Sequence, residues 1–271
     1  MSKISIVTAF YDIGRGGWTV DKGLPHFLER SNQTYIDRFK TLTKLDNDIT
    51  VFTSPDLVPL LKEETKDREN VTVIPYDLLE VNKDDLNKVS KIQKSESFRS
   101  RVNPRQILMP EYWSPHYVVV TNLKAHFVQM AIDMGIIKND TVSWIDFGYC
   151  RLPNQIPKNH VWEYNFDPQY IHLFNYKTLK PENTVQDAVL NNDVYILGAK
   201  AVAHKNRWKK MCELMEKSKD LLAEEGLVDD DQGLWLMSTV LSPDDFKLHK
   251  IPDHQLGYNP FVLFNLFNDK A

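Results

Sequence analysis

Apolar residues recur along the chain in two alternating patterns, which together predict an α/β fold. Short apolar and β-branched runs bounded by polar or glycine-rich turns predict strands at 4–10, 48–53, 71–75, 142–146, 171–174, 191–199 and 246–251. Apolar residues spaced three or four positions apart predict helices at 27–44, 56–66, 117–135, 201–224 and 234–240. Because strands and helices alternate, we expect a mostly parallel central sheet flanked by helices.

One predicted strand carries an acidic residue at its carboxyl end. The apolar run from Val142 reaches Asp146, and Gly148 then turns the chain into a polar loop. Open α/β sheets bind ligands in the crevice beyond the carboxyl ends of their strands, so Asp146 is a candidate ligand-binding carboxylate. Taken alone, an aspartate at this place caps a turn at least as often, and that alternative stays open.

A glycine-rich loop follows the first strand. Segment 11–18 contains three glycines, which allow close approach of a ligand to the backbone, together with Asp12 and Arg15. The carboxylate can accept hydrogen bonds from a base or ribose, and the guanidinium can pair with a phosphate. The glycine spacing fits neither the dinucleotide nor the P-loop fingerprint. We predict a wall of a nucleotide pocket here, with a flexible, solvated turn as the alternative.

Later segments carry further candidates. Lys124 lies within the predicted helix 117–135 and can reach over the sheet edge to a diphosphate, or equally extend over the core as a surface lysine. Three consecutive acids at 229–231 precede an apolar helix, where one carboxylate can act as the N-cap. Since three carboxylates exceed what capping needs, at least one of them is a candidate functional group.

Histidines near the end of the sequence are possible metal ligands. His249 lies in the last predicted strand, and His254 follows it. A lone histidine is more often a structural hydrogen-bonding group, so either becomes a candidate only if it faces Asp146.

Composition limits the class of protein. The chain has 271 residues and a formal net charge of −4, so nucleic-acid binding is not expected. Cys150 and Cys212 match no zinc or disulfide spacing, which fits a reducing cytosol.

No apolar stretch approaches the roughly 20 residues of a membrane-spanning helix. We therefore expect a cytoplasmic protein. The basic cluster in 88–105 is the place for contact with an anionic membrane, although a solvated helix face is the more common outcome.

Several segments together resemble a known family over nearly the whole chain. They are Thr-Ala-Phe-Tyr-Asp-Ile-Gly-Arg at 8–15, Lys124, Trp-Ile-Asp-Phe-Gly-Tyr at 144–149, Asn-Asn-Asp-Val-Tyr-Ile-Leu-Gly at 191–198, Arg207-Trp208 and Asp-Asp-Gln at 230–232. In this order they resemble the HtrL/YibB-like family of bacterial proteins, found among genes for surface polysaccharides. More distantly, the chain resembles nucleotide-sugar glycosyltransferases with a GT-A fold.

The resemblance implies a single GT-A-like, Rossmann-like domain over residues 1–271, with a nucleotide-binding half at 1–150 and an acceptor-binding, catalytic half at 151–271. It implies transfer of a sugar from a nucleotide diphosphate, most simply a UDP-sugar, to a glycan or lipid-linked acceptor at the inner face of the bacterial membrane. The implied donor-site residues are Asp12, Arg15, Lys124, Asp146 and Gly148. Asp231 would be the base for the acceptor hydroxyl, with Asp230 as second choice.

The resemblance also raises the question of a metal. GT-A enzymes usually place two acids, separated by one residue, at the strand end, and the second binds a divalent metal that holds the diphosphate. Here the two positions after Asp146 are not acidic. Either Asp146 binds Mn²⁺ or Mg²⁺ with a distant ligand such as His249, or it contacts the sugar or ribose while Arg15 and Lys124 neutralise the diphosphate. We favour metal dependence.

Two other functions remain open from the sequence. The incomplete acidic motif also fits a nucleotide-sugar-binding or scaffold protein without catalysis, although the acids at 229–231 count against it. A hydrolase with paired carboxylates is disfavoured, because hydrolysis does not require phosphate contacts from Arg15 and Lys124.

Overall fold

The computed structural model describes residues 2–251 and 261, so His254 and most of the aromatic segment 261–267 lie outside the described residues. Within the described part, seven strands form one sheet: β1 (Ile4–Phe10), β2 (Ile49–Thr53), β3 (Val71–Pro75), β4 (Thr141–Ile145), β5 (Ile171–Asn175), β6 (Ile196–His204) and β7 (Phe246–Lys250). The helices of this part are α1 (Asn32–Leu42), α2 (Val58–Glu64), α3 (Leu78–Val81), α4 (Lys83–Lys94), α5 (Glu96–Arg99), α6 (Pro115–Asn122), α7 (Lys124–Asp133), α8 (Val185–Asn191), α9 (Trp208–Glu224) and α10 (Asp231–Leu241).

The sheet is mixed but mostly parallel, with the strand order β3-β2-β1-β4-β6-β5-β7. Strands β3, β2, β1 and β4 are parallel, and β5 is parallel to β7. Strand β6 is antiparallel to both of its neighbours, β4 and β5. The α/β class with a mostly parallel central sheet flanked by helices is therefore confirmed. After β1 the chain adds β2 and β3 on one side and returns to β4 on the other, so the strand order reverses between β1 and β4.

Both faces of the sheet are buried. Successive strand residues point to opposite faces. In β6, Ala201 and Ala203 pack into the layer formed with α7, α9 and α10, whereas Val202 packs into the layer formed with α1 and α2. Phe261 belongs to the second layer. This double cover explains why the strand sequences are nearly continuous apolar runs.

The helix predicted at 201–224 begins later than expected. Strand β6 continues to His204, and α9 begins at Trp208. Alanine favours a helix when isolated, but Ala201 and Ala203 pair with Trp144 and Val142 of β4 in the sheet. Tertiary pairing therefore outweighed local helix propensity.

The helix predicted at 117–135 is two helices. Helix α6 ends at Asn122, α7 begins at Lys124, and Leu123 forms the junction. The break places Lys124 in the first turn of α7 instead of mid-helix. Helix α7 ends just before Gly135, whose φ of 70° is typical of a helix C-terminal glycine, as the sequence predicted.

Two further segments differ from expectation. The helix predicted from Phe27 starts only at Asn32, because the Ser31 hydroxyl caps it by accepting from the Thr34 amide at 3.2 Å. The polar excursion after β3 forms α3, α4 and α5, and α4 packs against α6. The basic side chains between Lys88 and Arg105 lie on the exposed surface of this segment. No helix in the described part is both long enough and apolar enough to cross a membrane.

Candidate functional site

A cavity of about 260 Å³ opens at the carboxyl ends of β1 and β4, where the strand order reverses. This is the place at which open α/β sheets bind ligands. Its walls come from the loop after β1, the start of α7, the turn after β4, the start of β6 and the N-terminus of α10. The predicted residues that line it are Arg15, Lys124, Asp146, Gly148, Asp230 and Asp231.

Asp12 does not line this cavity. Its carboxylate accepts a hydrogen bond from the Gly14 amide at 2.8 Å and one from the Asn32 side chain at 2.7 Å. Both bonds tie the glycine-rich loop to the start of α1. The structure therefore gives Asp12 a part in shaping the loop, where the sequence predicted contact with a ligand.

The carboxylates of Asp146, Asp230 and Asp231 form the acidic wall of the cavity, and Lys124 connects Asp146 to Asp231. Its Nζ lies 2.8 Å from Oδ1 of Asp146 and 3.1 Å from Oδ1 of Asp231, and it donates to the Gly198 carbonyl at 2.9 Å. These three acceptors match the three donors of an ammonium group. Burial alone lowers the pKa of Lys124, but the two carboxylates outweigh it and raise the pKa above its usual value. Lys124 thus stays charged, and all three of its N–H donors are used in contacts within the protein.

Asp146 is held in place but remains partly open to the cavity. Its Oδ1 accepts from the Trp144 indole at 2.7 Å as well as from Lys124, and its backbone amide donates to Ala199 of β6 at 2.9 Å. The side chain is 36% exposed. Asp146 therefore presents a fixed, partly exposed carboxylate to the cavity at the end of β4.

Asp231 is the most deeply buried acid of the cavity. Its Oδ1 pairs with Lys124, whereas Oδ2 is buried without a hydrogen-bond partner among the described residues. Burial raises the pKa of Asp231, Lys124 opposes the rise, and the neighbouring Asp230 and Asp146 reinforce it, so the pKa lies well above its usual range. Because Asp231 lines the cavity, a carboxylate of raised basicity at this position is suited to accept a proton from a bound molecule.

Asp230, by contrast, is occupied by structural contacts. It is the N-cap of α10, and its Oδ1 accepts from the Gln232 amide at 2.9 Å. Its Oδ2 accepts from the Tyr117 hydroxyl at 3.2 Å. Of the consecutive acids, Asp230 thus supplies the cap and Asp231 is left for other chemistry.

Sequence reasoning missed one acid beside this group. Glu111 lies in the proline-bounded loop before α6 and is only 4% exposed. Burial, reinforced by Asp230 and opposed by Arg15, raises the pKa of Glu111 to about 8. Asp229 is affected in the same way, since burial, Asp230 and Glu111 raise its pKa well above the usual value. The signal in the sequence that could have identified Glu111 was an acid placed among aromatic residues in a proline-bounded loop.

A second set of lining side chains, the arginines, forms the basic wall of the cavity. Arg15 donates to the Tyr35 hydroxyl at 2.6 Å, and its guanidinium lies 5.0 Å from the ring centre of Trp18. Arg30 and Arg151 line the same cavity. Both were missed from the sequence, although Arg151 directly follows the segment that carries Asp146.

His249 is not brought to Asp146. It lies in β7, three strands from β4 in the sheet, or about 14 Å at the usual strand spacing. Its Nε2 is 2.9 Å from Nδ1 of His172, and its ring stacks on Phe174. The expected metal pair of Asp146 and His249 is therefore not formed. Within residues 2–251 and 261, no group of three or more His, Cys, Asp or Glu side chains is arranged to hold a metal ion.

Gly148 is required by packing against Tyr35. An added Cβ would lie 2.6 Å from Cδ1 of the Tyr35 ring, whose hydroxyl anchors Arg15. We expect Gly148→Ala to displace this ring and lower the free energy of unfolding by about 1–3 kcal/mol, the usual cost of overpacking, measured by urea denaturation. Gly16→Ala is the matched control, because its nearest neighbour would be 4.0 Å away. Equal stability of the two variants would show that the Tyr35 contact is not limiting.

The fold and the cavity define an α/β protein with a cavity lined by acidic and basic side chains at the sheet's reversal point. Residues 2–268 match the family model described as "Bacterial protein of unknown function (HtrL_YibB)", and the chain belongs to this family. It is 42% identical over 251 residues to Protein HtrL of Escherichia coli (strain K12), a match covering 92% of this chain and 88% of that protein. The expected membership is thus confirmed.

Among solved structures, the chain is similar to the apo form of mouse xyloside xylosyltransferase 1. The superposition covers 90% of this chain and 84% of that chain, with a TM-score of 0.46 and 11% sequence identity.

Proposed function

We propose that the protein is a glycosyltransferase that moves a sugar from a nucleotide diphosphate, most simply a UDP-sugar, to a glycan or lipid-linked acceptor in surface-polysaccharide synthesis. The observation that carries this proposal is a single cavity lined by both guanidinium groups and carboxylates. A nucleotide sugar offers a partner to each set, since its diphosphate is anionic and its sugar is neutral and rich in hydroxyl groups.

Both parts of the chain contribute to the proposed site. Residues 1–150 supply Arg15, Lys124 and Asp146, and residues 151–271 supply Arg151 and Asp231. We assign donor binding chiefly to the first part and acceptor binding and catalysis to the second, within one domain.

The donor diphosphate is proposed to lie along the basic wall. Arg15, Arg30 and Arg151 present planar guanidinium groups, which bind phosphate oxygens through paired hydrogen bonds. Tyr35 and Tyr117 also line the cavity and offer aromatic faces to a base or a sugar ring. The donor sugar then lies towards Asp146, whose partly exposed carboxylate accepts from sugar hydroxyls.

The acidic wall supplies the base for transfer. The Asp231 carboxylate accepts the proton of the acceptor hydroxyl, and the acceptor oxygen forms a bond to the anomeric carbon. The bond between that carbon and the diphosphate oxygen breaks, and its electron pair leaves on the diphosphate. The guanidinium wall stabilises the negative charge that develops there. Lys124 holds Asp231 and Asp146 in position without contacting the diphosphate.

Thermal unfolding with UDP, GDP and CMP, each with and without Mn²⁺, tests the proposal. We expect one nucleoside diphosphate to raise the unfolding temperature, because a ligand at about 100 times its Kd stabilises the folded state by about 2.7 kcal/mol. The nucleotide that binds also defines the donor class. A lack of response to every nucleotide would contradict the transferase. Binding without consumption of any donor sugar would instead support the non-catalytic nucleotide-sugar-binding protein.

A further inference from the structure

We infer that the cavity binds the diphosphate through its arginines, without a divalent metal ion, and that the Lys124 ammonium stands where such an ion would otherwise lie. The inference rests on the proposed function and specifies how the same cavity recognises its ligand. It departs from the metal dependence that the family resemblance implied. Two independent observations support it, one on each wall.

The first observation concerns the acidic wall. A metal at the end of β4 would be shared by Asp146 and the nearest second carboxylate, that of Asp231. The Nζ of Lys124 already lies between these two groups, at 2.8 and 3.1 Å. The side chain is 6% exposed and lies between the indoles of Trp144 and Trp235, 5.9 and 5.8 Å from their ring centres.

This arrangement does not fit a divalent ion. An ion shared by Asp146 and Asp231 would have to displace an ammonium that also donates to the Gly198 carbonyl. Displacement would leave a charged lysine buried without partners, which is strongly unfavourable. The free Oδ2 of Asp231 faces Gly198 so closely that a Cβ added at Gly198 would overlap it. The acidic wall therefore carries its own fixed cation.

The second observation concerns the basic wall. Arg15, Arg30 and Arg151 line the cavity, and Arg38 lies beside them. Nε of Arg15 and Nη1 of Arg38 are buried without a hydrogen-bond partner among the described residues. Burial lowers the pKa of Arg38, and the charges of Arg151 and Arg30 lower it further. Neighbouring positive charges repel one another, and an anion bound between them offsets this repulsion.

A diphosphate is the anion that fits this wall. One carboxylate is satisfied by paired hydrogen bonds from a single guanidinium group, whereas two linked phosphates offer oxygens to several guanidinium groups at once. The arginines line a bounded cavity at the reversal point of the sheet, which suits a small ligand better than a polymer. The arginines thus provide the positive charge that a metal ion would bring to the diphosphate.

Isothermal titration of the full chain with inorganic pyrophosphate and with UDP, each in EDTA and in Mn²⁺, tests the inference. We expect both probes to bind in EDTA with an affinity within about threefold of that in Mn²⁺, a difference of about 0.7 kcal/mol. Arg30→Gln and Arg151→Gln should each weaken binding about tenfold or more, since each removes a charge-assisted contact. Arg99→Gln is the matched control, because Arg99 is an exposed arginine on α5, and it should leave binding unchanged.

The possible results separate the two proposals. Binding of UDP only with Mn²⁺ would overturn the inference and leave the transferase intact. Metal-free, arginine-dependent binding of pyrophosphate without binding of any nucleotide would support the inference and contradict the transferase. Equal weakening by Arg99→Gln would show general charge attraction and overturn the assigned site. Thermal unfolding of each variant confirms that it is folded before binding is compared.

Discussion

Asp231→Asn is expected to reduce donor turnover by about 10²–10⁴-fold, the usual contribution of a general base, while nucleotide binding is retained. Asparagine keeps the size of the side chain but does not accept the proton of the acceptor hydroxyl. The proposed diphosphate contacts are made by the arginines of the cavity and are not altered. Steady-state donor consumption, with titration of UDP on the same preparation, measures the two effects separately.

Asp230→Asn is the matched comparison for this variant. It removes the same charge one residue earlier, and asparagine caps a helix about as well as aspartate. Its oxygen can still accept from the Gln232 amide, so we expect a much smaller fall in turnover than for Asp231→Asn. Equal losses in the two variants would point to a general effect of charge. Unchanged turnover in Asp231→Asn would remove Asp231 from the role of base.

The pH profile provides a second readout of the same variant. Asp231 must be deprotonated to accept a proton, and burial, opposed by Lys124 and reinforced by Asp230 and Asp146, raises its pKa. In the unsubstituted protein, kcat/KM should therefore fall as the pH is lowered through a value above the ordinary range of aspartate, about 3.9. This acidic limb should be absent from the residual activity of Asp231→Asn, whereas purely structural damage would leave its position unchanged.

Local sequence patterns were sufficient for much of the sheet. Strands β1 (Ile4–Phe10) and β3 (Val71–Pro75) have the predicted bounds, because each is rich in β-branched residues and ends at a glycine-rich loop or a proline. The start of α9 could not be found in this way. The alanines of β6 have no local preference for a strand, and their pairing with β4 and β5 determines their conformation.

The candidate site was predictable where one segment carries the signal. Asp146 at a strand end and Asp231 at a helix start both follow from position along the chain. The contacts of Lys124 do not, because its partners Asp146 and Gly198 are distant in sequence and meet it only across the folded sheet. Arg15 was predicted, but Arg30 and Arg151 were missed for the same reason, since the arginines of the basic wall come from separate segments.

Lys124→Met is expected to lower the free energy of unfolding by about 3–5 kcal/mol, the usual cost of removing one partner from a buried ion pair. Methionine fills a similar volume but leaves the Oδ1 atoms of Asp146 and Asp231 and the Gly198 carbonyl without their shared donor. Of the two carboxylates, Asp231 is the more costly to leave unpaired because its side chain is only 3% exposed. Urea denaturation at neutral pH measures the change.

The double variant Lys124→Met with Asp231→Asn isolates the reason for this loss. If the unpaired buried charge is the cause, neutralising Asp231 should recover part of the stability, because Asp146 is partly exposed and tolerates the loss of one partner better. Lys138→Met is the matched control, since Lys138 pairs with Asp48 at the surface and its removal should change stability little. If the double variant were less stable than Lys124→Met, Lys124 would be needed for packing between Trp144 and Trp235 rather than for balancing the two carboxylates.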